Sequence, residues 1–420
     1  MFGNLEGLKK KAKETIVDNF QKTGNLWIAP SWPHYKDAVL WDACFHAMVC
    51  HELGLNKIAE NELKTFFAHQ DSRGWIPHVV FLQKTWSLFS EREYYIYPNL
   101  HSNYTQPPVF AQALEWLNNP EFTQEYLEKV AKFYLYFLKY QDPDKDNLIS
   151  SCHPHETGRD SSPEFDFILG IKFLSNKIPL ASQINGWRRW KRILRLDKEY
   201  QKVNWDIDKI WQLNLFNMKD VMFNCIWVDG MRSLARLAKE NKDKVLYNAL
   251  ADQAEKAIFS KMYDPIDKFF YPLNSQNQLI KIPTISGLFP LILENIPQNM
   301  VEALVAHLIN PQEFATPYPI PSVPRNNPKF DSGKNIASCN WMGPVWINMN
   351  WFIVGGLVLQ AERFNMYGCF KTAIEIAKKT MEMVGREGCW EFYNPFTGEG
   401  LRISGYSWST LVITLPKLFG

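Results

Sequence analysis

The sequence predicts an all-α protein, a closed double ring of helices (a helical toroid) with its long loops at one end. Three observations predict this fold. Apolar residues recur at helical spacing in about six consecutive pairs of segments, whereas strand-like alternation is scarce. Short turns and long aromatic loops join these segments alternately, and loops of such length are usually functional. An α-solenoid is the competing architecture, but solenoid repeats keep a fixed period, and no such period is visible.

The helices can be justified in order from spacing and from the residues that end them. Apolar residues recur every three or four positions from Leu5 to Phe20, so the first helix ends near Thr23-Gly24. A second helix runs from residue 40 to about 53, where Gly54 closes it and Asn56 opens an antiparallel partner. The remaining predicted helices are 107–118 with 122–140, 217–240 with 243–261, 284–295 with 298–308, 343–363 with 366–384, and a last helix over 406–417.

Two segments in the middle of the chain resist assignment. Residues 165–174 and the basic, tryptophan-bearing segment 187–196 show no clear period. We therefore treat 172–216 as an inserted or lid-like segment within one catalytic domain that spans residues 1–420. A length of 420 residues is acceptable for a single barrel-like domain and allows a large buried core.

Charge and aromatic content narrow the classes of function. The 46 basic and 44 acidic residues give a net charge of +2, which provides no field that would gather nucleic acid. The chain holds 16 Trp, 17 Tyr and 28 Phe, many of them beside Asp, Asn, Glu or Pro. Aromatic faces with polar neighbours suit sugars, which are apolar on one face and hydroxylated at the edge. Core packing must still account for at least half of these rings.

Cysteine usage and hydropathy indicate a cytoplasmic protein without a membrane partner. The seven cysteines are odd in number, widely spaced and without a CxxC pair, which favours a reducing compartment. The first 20 residues mix Lys, Glu and Asp, so they do not form a secretory signal. The longest apolar run, Trp351 to Leu359, is too short to span a bilayer.

The stretch from His153 to Pro163 is the strongest candidate for a catalytic loop. Prolines and a glycine prevent a continuous helix or strand, while Glu156, Arg159 and Asp160 bring three charges together. A carboxylate beside a guanidinium has a pKa that its surroundings can move either way. The alternative is a turn in which Glu156 and Arg159 form a solvated ion pair.

Three further stretches mix aromatic and polar residues where a helix meets a loop. In Trp41-Asp42 the aspartate is either a helix-start acceptor or an acceptor for sugar hydroxyls. The stretch 340–346 places two tryptophans around Gly343-Pro344, and a buried helix entry explains it equally well. In 389–399, Glu391 stands among aromatic residues, and a desolvated carboxyl group suits proton transfer.

Two such carboxyl groups are what the cleavage of a glycosidic bond requires, one as proton donor and one to activate water or attack the sugar. Other chemistries fit worse. His153, His155 and Glu156 do not have the spacing of the usual zinc motifs, and Pro154 prevents a helical face. The sequence has no GxSxG motif, P-loop or properly flanked GxGxxG motif, which leaves acyl and phosphoryl transfer without support.

Six stretches carry a family resemblance. They are Trp41-Asp42-Ala43-Cys44-Phe45-His46, Ile76-Pro77-His78-Val79-Val80-Phe81, Thr105-Gln106-Pro107-Pro108, Glu156 to Pro163, Gly343-Pro344-Val345-Trp346 and Glu391-Phe392-Tyr393-Asn394-Pro395. In this order the chain resembles glycoside hydrolase family 63, in particular its short bacterial and plant members that hydrolyse mannosylglycerate or glucosylglycerate. The matches run from about residue 27 to 412.

The resemblance implies an (α/α)6 barrel and an inverting hydrolase. It implies that Asp160 is the general acid and Glu391 the general base, with Glu399 as the rival for the base. Glu391 is preferred because its aromatic flanks fit the family's position, whereas Glu399 stands between two glycines. The substrate-binding residues that it implies are Tyr35, Trp41, Asp42, His78, Gln106, Arg159, Trp341, Trp346 and Tyr393.

The chain departs from the family's pattern at two positions. Ser161 follows the acid where such enzymes often carry Asn, and Ala43 follows Trp-Asp where they often carry Ser. Both changes alter hydrogen bonding near the sugar without removing the two carboxyl groups. They therefore affect substrate identity more than reaction type.

The expected activity is that of an inverting, exo-acting α-glycosidase with a small carbohydrate substrate and no metal or organic cofactor. Arg159 is the expected contact for an acidic aglycone such as glycerate. The alternatives are a trehalase-like or other α-glucosidase, a sugar epimerase that uses His78, His153 or His155, and a sugar-binding protein without catalysis. The preference for mannose or glucose and assembly into a homo-oligomer are left open.

Overall fold

Six buried segments form the inner ring of the fold. A computed structural model describes residues 4–82, 100–174, 180–333 and 341–420. Each inner segment contacts the next one along the chain, and the last contacts the first, which closes the ring. The inner segments are α2 (Leu40–Glu52), α4 (Phe110–Leu117), α9 (Val221–Leu237), the 3-10 segment Ile285–Ile292, α12 (Ile347–Phe364) and the 3-10 segment Ser407–Phe419.

Six outer helices surround this ring, and each packs on one inner segment. They are α1 (Leu5–Lys22), α3 (Asn56–Phe67), α5 (Pro120–Tyr140), α10 (Asn241–Ala257), α11 (Gln298–Leu308) and α13 (Tyr367–Glu387). Burial follows from this placement: α2 is buried at every position from Leu40 to Cys50, whereas α3 buries a single face. The fold is therefore the expected (α/α)6 barrel.

Two of the inner segments differ from their prediction. The predicted helices 284–295 and 406–417 are 3-10 segments, Ile285–Ile292 and Ser407–Phe419. Pro290 and Pro416 lie inside them, and each proline removes a backbone donor that an α-helix needs. Both segments remain buried over most of their length, so they still complete the ring.

The segment 172–216 holds helices that the sequence did not assign. After the short α6 (Phe165–Ile168), the chain forms α7 (Ala181–Lys202) and α8 (Ile207–Leu213). These helices share a small apolar core of their own, which includes Phe165, Leu196 and Ile210. Residues 175–179 of this segment lie outside the described residues, as does Asn340 in the stretch 340–346.

Short antiparallel strand pairs connect the helices. The pairs are β1 (Ala38–Val39) with β2 (Val79–Val80), β3 (Met218–Lys219) with β6 (Leu273–Asn274), β4 (Tyr263–Asp264) with β5 (Phe269–Phe270), and β7 (Trp390–Tyr393) with β8 (Gly400–Ser404). The β7–β8 hairpin carries Glu391. No helix in the described part of the chain is long and apolar enough to cross a membrane.

Candidate active site

A cavity of about 580 Å³ lies where the inner segments begin. Its lining includes residues at the start of α2 and of the segment Ser407–Phe419, together with loop residues that precede α4 and α12. A volume in this range is typical of sites for small ligands. Eight of the eleven residues singled out in the sequence line it: Tyr35, Trp41, Asp42, His78, Gln106, Asp160, Trp341 and Glu391.

Glu391 projects from β7, and a bulge in the hairpin directs a cation toward it. The pairing shifts register between Trp390 and Phe392, and Arg402 on β8 has a φ of 69°, in the left-handed region. Arg402 Nη1 donates to Glu391 Oε1 at 2.5 Å, and the Tyr35 hydroxyl donates to the same oxygen at 3.4 Å. Burial raises the pKa of Glu391 to about 7, against the opposing charge of Arg402, and the charge of Asp160 adds to the rise.

Asp160 follows a loop that passes very close to Trp41. Gly158 has a φ of 69°, and a Cβ atom at this position would lie 2.5 Å from the indole ring of Trp41. Only glycine allows this approach and this backbone conformation together. The loop thereby brings Asp160 to the cavity that Glu391 also lines.

The buried side chain of Arg159 holds this loop in place. Its guanidinium group donates to Ser162 at 2.8 Å and forms ion pairs with Glu164 at 3.2 Å and with Asp220. Glu156 is also buried and accepts from the Gln141 side chain at 2.9 Å. The solvated pair between Glu156 and Arg159 is therefore wrong, because each side chain is buried and bound elsewhere.

Three residues expected to bind substrate do not line the cavity. Arg159 is turned toward two buried carboxylates. Trp346 lies behind Trp341, with ring centroids 3.9 Å apart and planes nearly parallel, so it supports the residue that does line the cavity. The hydroxyl of Tyr393 donates to the carbonyl of Gly388 at 2.7 Å, within the hairpin and its approach. Glu399 is exposed near the tip of the hairpin and does not line the cavity either.

Three buried polar atoms of the cavity lining have no hydrogen-bond partner among the described residues. They are Asp42 Oδ1, Glu391 Oε2 and the indole Nε1 of Trp341. Burial raises the pKa of Asp42 to about 7. Unsatisfied buried polar groups are rare in native proteins, since each one costs about 1–3 kcal/mol. Two acceptors and one donor without partners therefore belong to residues that line one cavity.

A stack of rings forms one wall of the cavity. Tyr104 lies between His78 and His153, with ring centroids at 4.5 and 4.2 Å, and its hydroxyl contacts His155 Nδ1 at 2.8 Å. Burial lowers the pKa of His78 well below its usual value, and the charges of His155 and His153 act in the same direction. At neutral pH His78 is therefore an uncharged imidazole. It does not suit a reaction that needs a protonated histidine as the acid.

The opposite wall was not found from the sequence. It is one face of α7 and consists of Gly186, Arg189, Trp190, Ile193, Leu194 and Asp197. These positions recur at three and four residues, which is the signal of a helix face that could have identified them. The many basic residues between them make the segment hydrophilic on average, and this concealed the period.

The described residues offer no site with three or more His, Cys, Asp or Glu side chains placed to hold a metal ion. The arrangement is instead two carboxyl groups in a cavity with a tryptophan face and open hydrogen-bonding groups. Such an arrangement can exchange protons with a bound polar ligand.

Comparison with known proteins gives a consistent answer. The family model described as "Mannosylglycerate hydrolase MGH1-like glycoside hydrolase domain" matches residues 35–409. The mannosylglycerate hydrolase of Thermus thermophilus is 27% identical, over 95% of this chain and 98% of the relative. The glucosylglycerate hydrolase of Mycolicibacterium hassiacum is 22% identical, over 89% and 90% of the two chains. One similar solved structure is that of a GH63 mannosylglycerate hydrolase from Thermus thermophilus in complex with Tris and D-glycerate. It superposes with a TM-score of 0.83 at 24% identity. The match covers 98% of this chain and 100% of that one.

Proposed function

The chain belongs to the mannosylglycerate hydrolase MGH1-like family of glycoside hydrolases, and from that membership we propose that it is an inverting, exo-acting α-glycosidase for a small α-glycoside of glyceric acid. Mannosylglycerate and glucosylglycerate are the two candidate substrates, since relatives of this chain carry both names. The main support for this proposal is that Asp160 and Glu391, which are far apart along the chain, line one cavity together with Trp41, Asp42 and Trp341.

In the proposed reaction, Asp160 protonates the glycosidic oxygen while Glu391 removes a proton from a water molecule. That water attacks the anomeric carbon from the face opposite the leaving group, which inverts its configuration. A raised pKa of about 7 makes Glu391 a stronger base than an ordinary glutamate once it is ionised. An inverting enzyme needs about 6.5–9.5 Å between its two carboxyl groups, so that the water fits between them.

We propose that the sugar ring packs on Trp341, which Trp346 supports from behind. Asp42 Oδ1 accepts a sugar hydroxyl, and the Gln106 side chain is a further polar group of the same pocket. A cavity of about 580 Å³ suits a single small glycoside at the end of a chain, which supports an exo-acting enzyme.

The acidic aglycone is better matched by Arg189 than by Arg159. Arg189 lines the cavity and binds Asp166 through two contacts of 2.7 Å, and Lys329 contacts the same carboxylate at 2.9 Å. Two cations thus share one carboxylate, so the group formed by Arg189, Lys329 and Asp166 carries a net positive charge. A glycerate carboxylate complements this charge. We propose that α7, within 172–216 of a single catalytic domain, forms the aglycone side of the site.

We also propose a reducing, cytoplasmic location. The six cysteines of the described residues all carry free thiols. Disulfide bonds are rare in reducing compartments, so this state agrees with the odd cysteine count of the full chain.

A panel of α-mannosides, α-glucosides and both glycerate conjugates, followed by proton NMR, tests the proposal. We expect free hexose from at least one glycerate conjugate, with the β-anomer appearing first. Asp160→Asn and Glu391→Gln are expected to lose most of this activity. An α-anomer as first product would contradict inversion. Preferential hydrolysis of trehalose would favour the trehalase-like alternative, and an altered sugar without hydrolysis would indicate an epimerase.

A further inference from the structure

A buried chain of hydrogen bonds joins Glu62, His46 and Ser407, and none of these residues lines the cavity. His46 Nδ1 lies 2.9 Å from Glu62 Oε2, and His46 Nε2 lies 2.6 Å from Ser407 Oγ. All three side chains are at most 1% exposed. The chain spans α2, α3 and the last inner segment, so it lies where the first and last parts of the ring meet.

The order of these groups matches that of a serine hydrolase triad, but the position of Ser407 argues against this chemistry. The Ser407 hydroxyl contacts both the carbonyl of Pro30, at 3.1 Å, and His46 Nε2, and the donor in the second contact depends on the imidazole tautomer. Ser407 is also fully buried, which keeps substrate from reaching it.

One end of this chain of bonds holds the loop that carries Tyr35. Glu62 Oε1 accepts from the backbone N–H of Ile28 at 2.7 Å, and the backbone N–H of Ser407 donates to the Pro30 carbonyl at 2.8 Å. The loop then closes through backbone bonds between Ser31 and Tyr35. Tyr35 in turn donates to the carboxylate of Glu391.

Ser407 also connects these hydrogen bonds to the backbone of Glu391. Ser407 directly precedes Trp408, whose indole Nε1 donates to the carbonyl oxygen of Glu391 at 3.0 Å. Trp408 also packs edge-on against Trp41 and Trp346. Displacement of Ser407 is therefore transmitted to Glu391 from two sides, through its main chain and through its carboxylate.

We propose that Glu62, His46 and Ser407 form a positioning network for Glu391. The network fixes the position of the base. It does so by holding Tyr35 and Trp408 in place where the last inner segment meets the first. This inference rests on the proposed function, in which Glu391 is the base. Small displacements of a catalytic group from its productive position can cost about 100-fold in rate, which is why such support matters.

Ser407→Ala and His46→Gln test the network, with Thr414→Val as the matched control. Thr414 is a buried hydroxyl residue of the same inner segment, and its hydroxyl donates to the carbonyl of Leu411 at 2.8 Å rather than to the network. We expect Ser407→Ala and His46→Gln to lower kcat about tenfold or more, because a misplaced base slows the chemical step. Thr414→Val should keep kcat near that of the wild type. Each variant is assayed at the same interval below its own Tm.

The pH profile provides a readout that a loss of stability alone would not change. The Tyr35 hydrogen bond lowers the pKa of Glu391, so loss of that bond moves the acidic limb of kcat/KM to higher pH. Wild-type kcat and an unmoved limb in Ser407→Ala would overturn the inference. If His46→Gln does not fold, Ser407→Ala decides the question, since it removes only one hydroxyl.

The two proposals fail in different ways. A wild-type protein that cleaves none of the glycosides overturns the proposed function, and full activity of Glu391→Gln overturns the assignment of the base. An inactive Glu391→Gln beside a fully active Ser407→Ala overturns only the positioning network.

Discussion

Glu391 combines three properties within one carboxyl group: it is buried, one oxygen is held by Arg402 and Tyr35, and the other has no partner among the described residues. The held oxygen fixes the orientation of the group, and the second oxygen is buried without a partner. A carboxyl group with this environment is less stable in its ionised form than one in water, and its raised pKa reports this difference.

The effect of Glu391 on stability should therefore depend on pH. Its pKa is near 4.5 in an unfolded chain and about 7 in the folded protein. A raised pKa stabilises the folded state below pH 4.5, and this contribution is lost as the pH rises through 7. We expect the Tm of Glu391→Gln to exceed that of the wild type increasingly from pH 5 to 8, as measured by thermal unfolding.

Glu399→Gln is the control for this measurement, because Glu399 is exposed on the same hairpin. Its Tm should follow the wild-type curve over the whole pH range. A Tm difference for Glu391→Gln that stays constant with pH would contradict the proposed cause of the shift.

Gly158 should be required for a different reason, its contact with Trp41. Gly158→Ala places a methyl group 2.5 Å from the indole and also adopts a φ of 69° that L-residues disfavour by about 1–2 kcal/mol. We expect a lower Tm together with a strong loss of kcat/KM, because Trp41 and Asp160 both move. Thermal unfolding and steady-state kinetics on the same samples measure the two effects.

Gly170→Ala separates the two causes. Gly170 has a similar φ of 61°, but a Cβ atom there would meet no neighbouring atom within 4 Å. This variant should therefore lose stability without losing activity. Equal activity of the two variants would show that contact with Trp41 is unimportant.

At the scale of elements, α7 has two faces with different tasks. Arg189 and Trp190 line the cavity, whereas Trp187, Arg188 and Arg192 belong to a second, outward surface depression. The proposed function assigns the anionic part of the substrate to the inward face alone. A substitution on each face can therefore test the assignment.

We expect Arg189→Gln to raise KM for a glycerate conjugate about tenfold or more, because a charge-assisted hydrogen bond contributes roughly 1.5–3 kcal/mol. KM for a neutral α-glycoside should change little. Arg192→Gln removes an equal charge from the outward face and should leave both values near wild type. Equal losses with charged and neutral substrates would argue against the assignment, and steady-state kinetics with both substrates provides the measurement.

The elements that the sequence predicted correctly are those with a plain amphipathic period, such as α1 and α3. The α7 helix was not predicted, because its inward face lines a cavity and carries Arg189 and Asp197 among its apolar residues. The β7–β8 hairpin was not predicted, because buried and exposed residues do not alternate along β7. Glu391, Phe392 and Tyr393 are all buried. Local periodicity fails where one side of an element faces a site, whereas the fully buried α2 was still predicted, because Gly54 marks its end.

At the scale of the whole molecule, the ring depends on close contact between inner segments. A Cβ atom on Gly356 of α12 would lie 2.8–3.0 Å from the backbone of Leu291 and Ile292, which cannot easily move. Gly356→Ala should therefore lower the Tm markedly, since it separates two neighbours of the ring. Thermal unfolding of the purified protein measures the change.

Gly355→Ala is an adjacent control in the same helix. Its Cβ atom would have 3.9 Å to the nearest atoms, at Leu418, and alanine favours a helix by about 0.5–1 kcal/mol over glycine. This variant should equal or exceed the wild-type Tm. A similar fall in Tm for both variants would contradict the role of close packing between the inner segments.

The sequence also identified most of the residues that line the cavity, because they stand in compact motifs. Asp160, Glu391 and Asp42 all line one cavity, although they are far apart along the chain. The pairing of Arg159 with Asp220 could not be predicted, since it depends on how a loop meets the start of a distant inner helix. Family patterns thus indicate which residues are near the site, and packing determines which of them face it.

The common direction of the inner segments has an electrostatic consequence. The starts of four of them, or the loops that lead into them, line the cavity, and the peptide dipoles there contribute a positive potential. This potential favours the ionised carboxylates that burial disfavours. In the proposed reaction it would also attract the anionic part of the substrate.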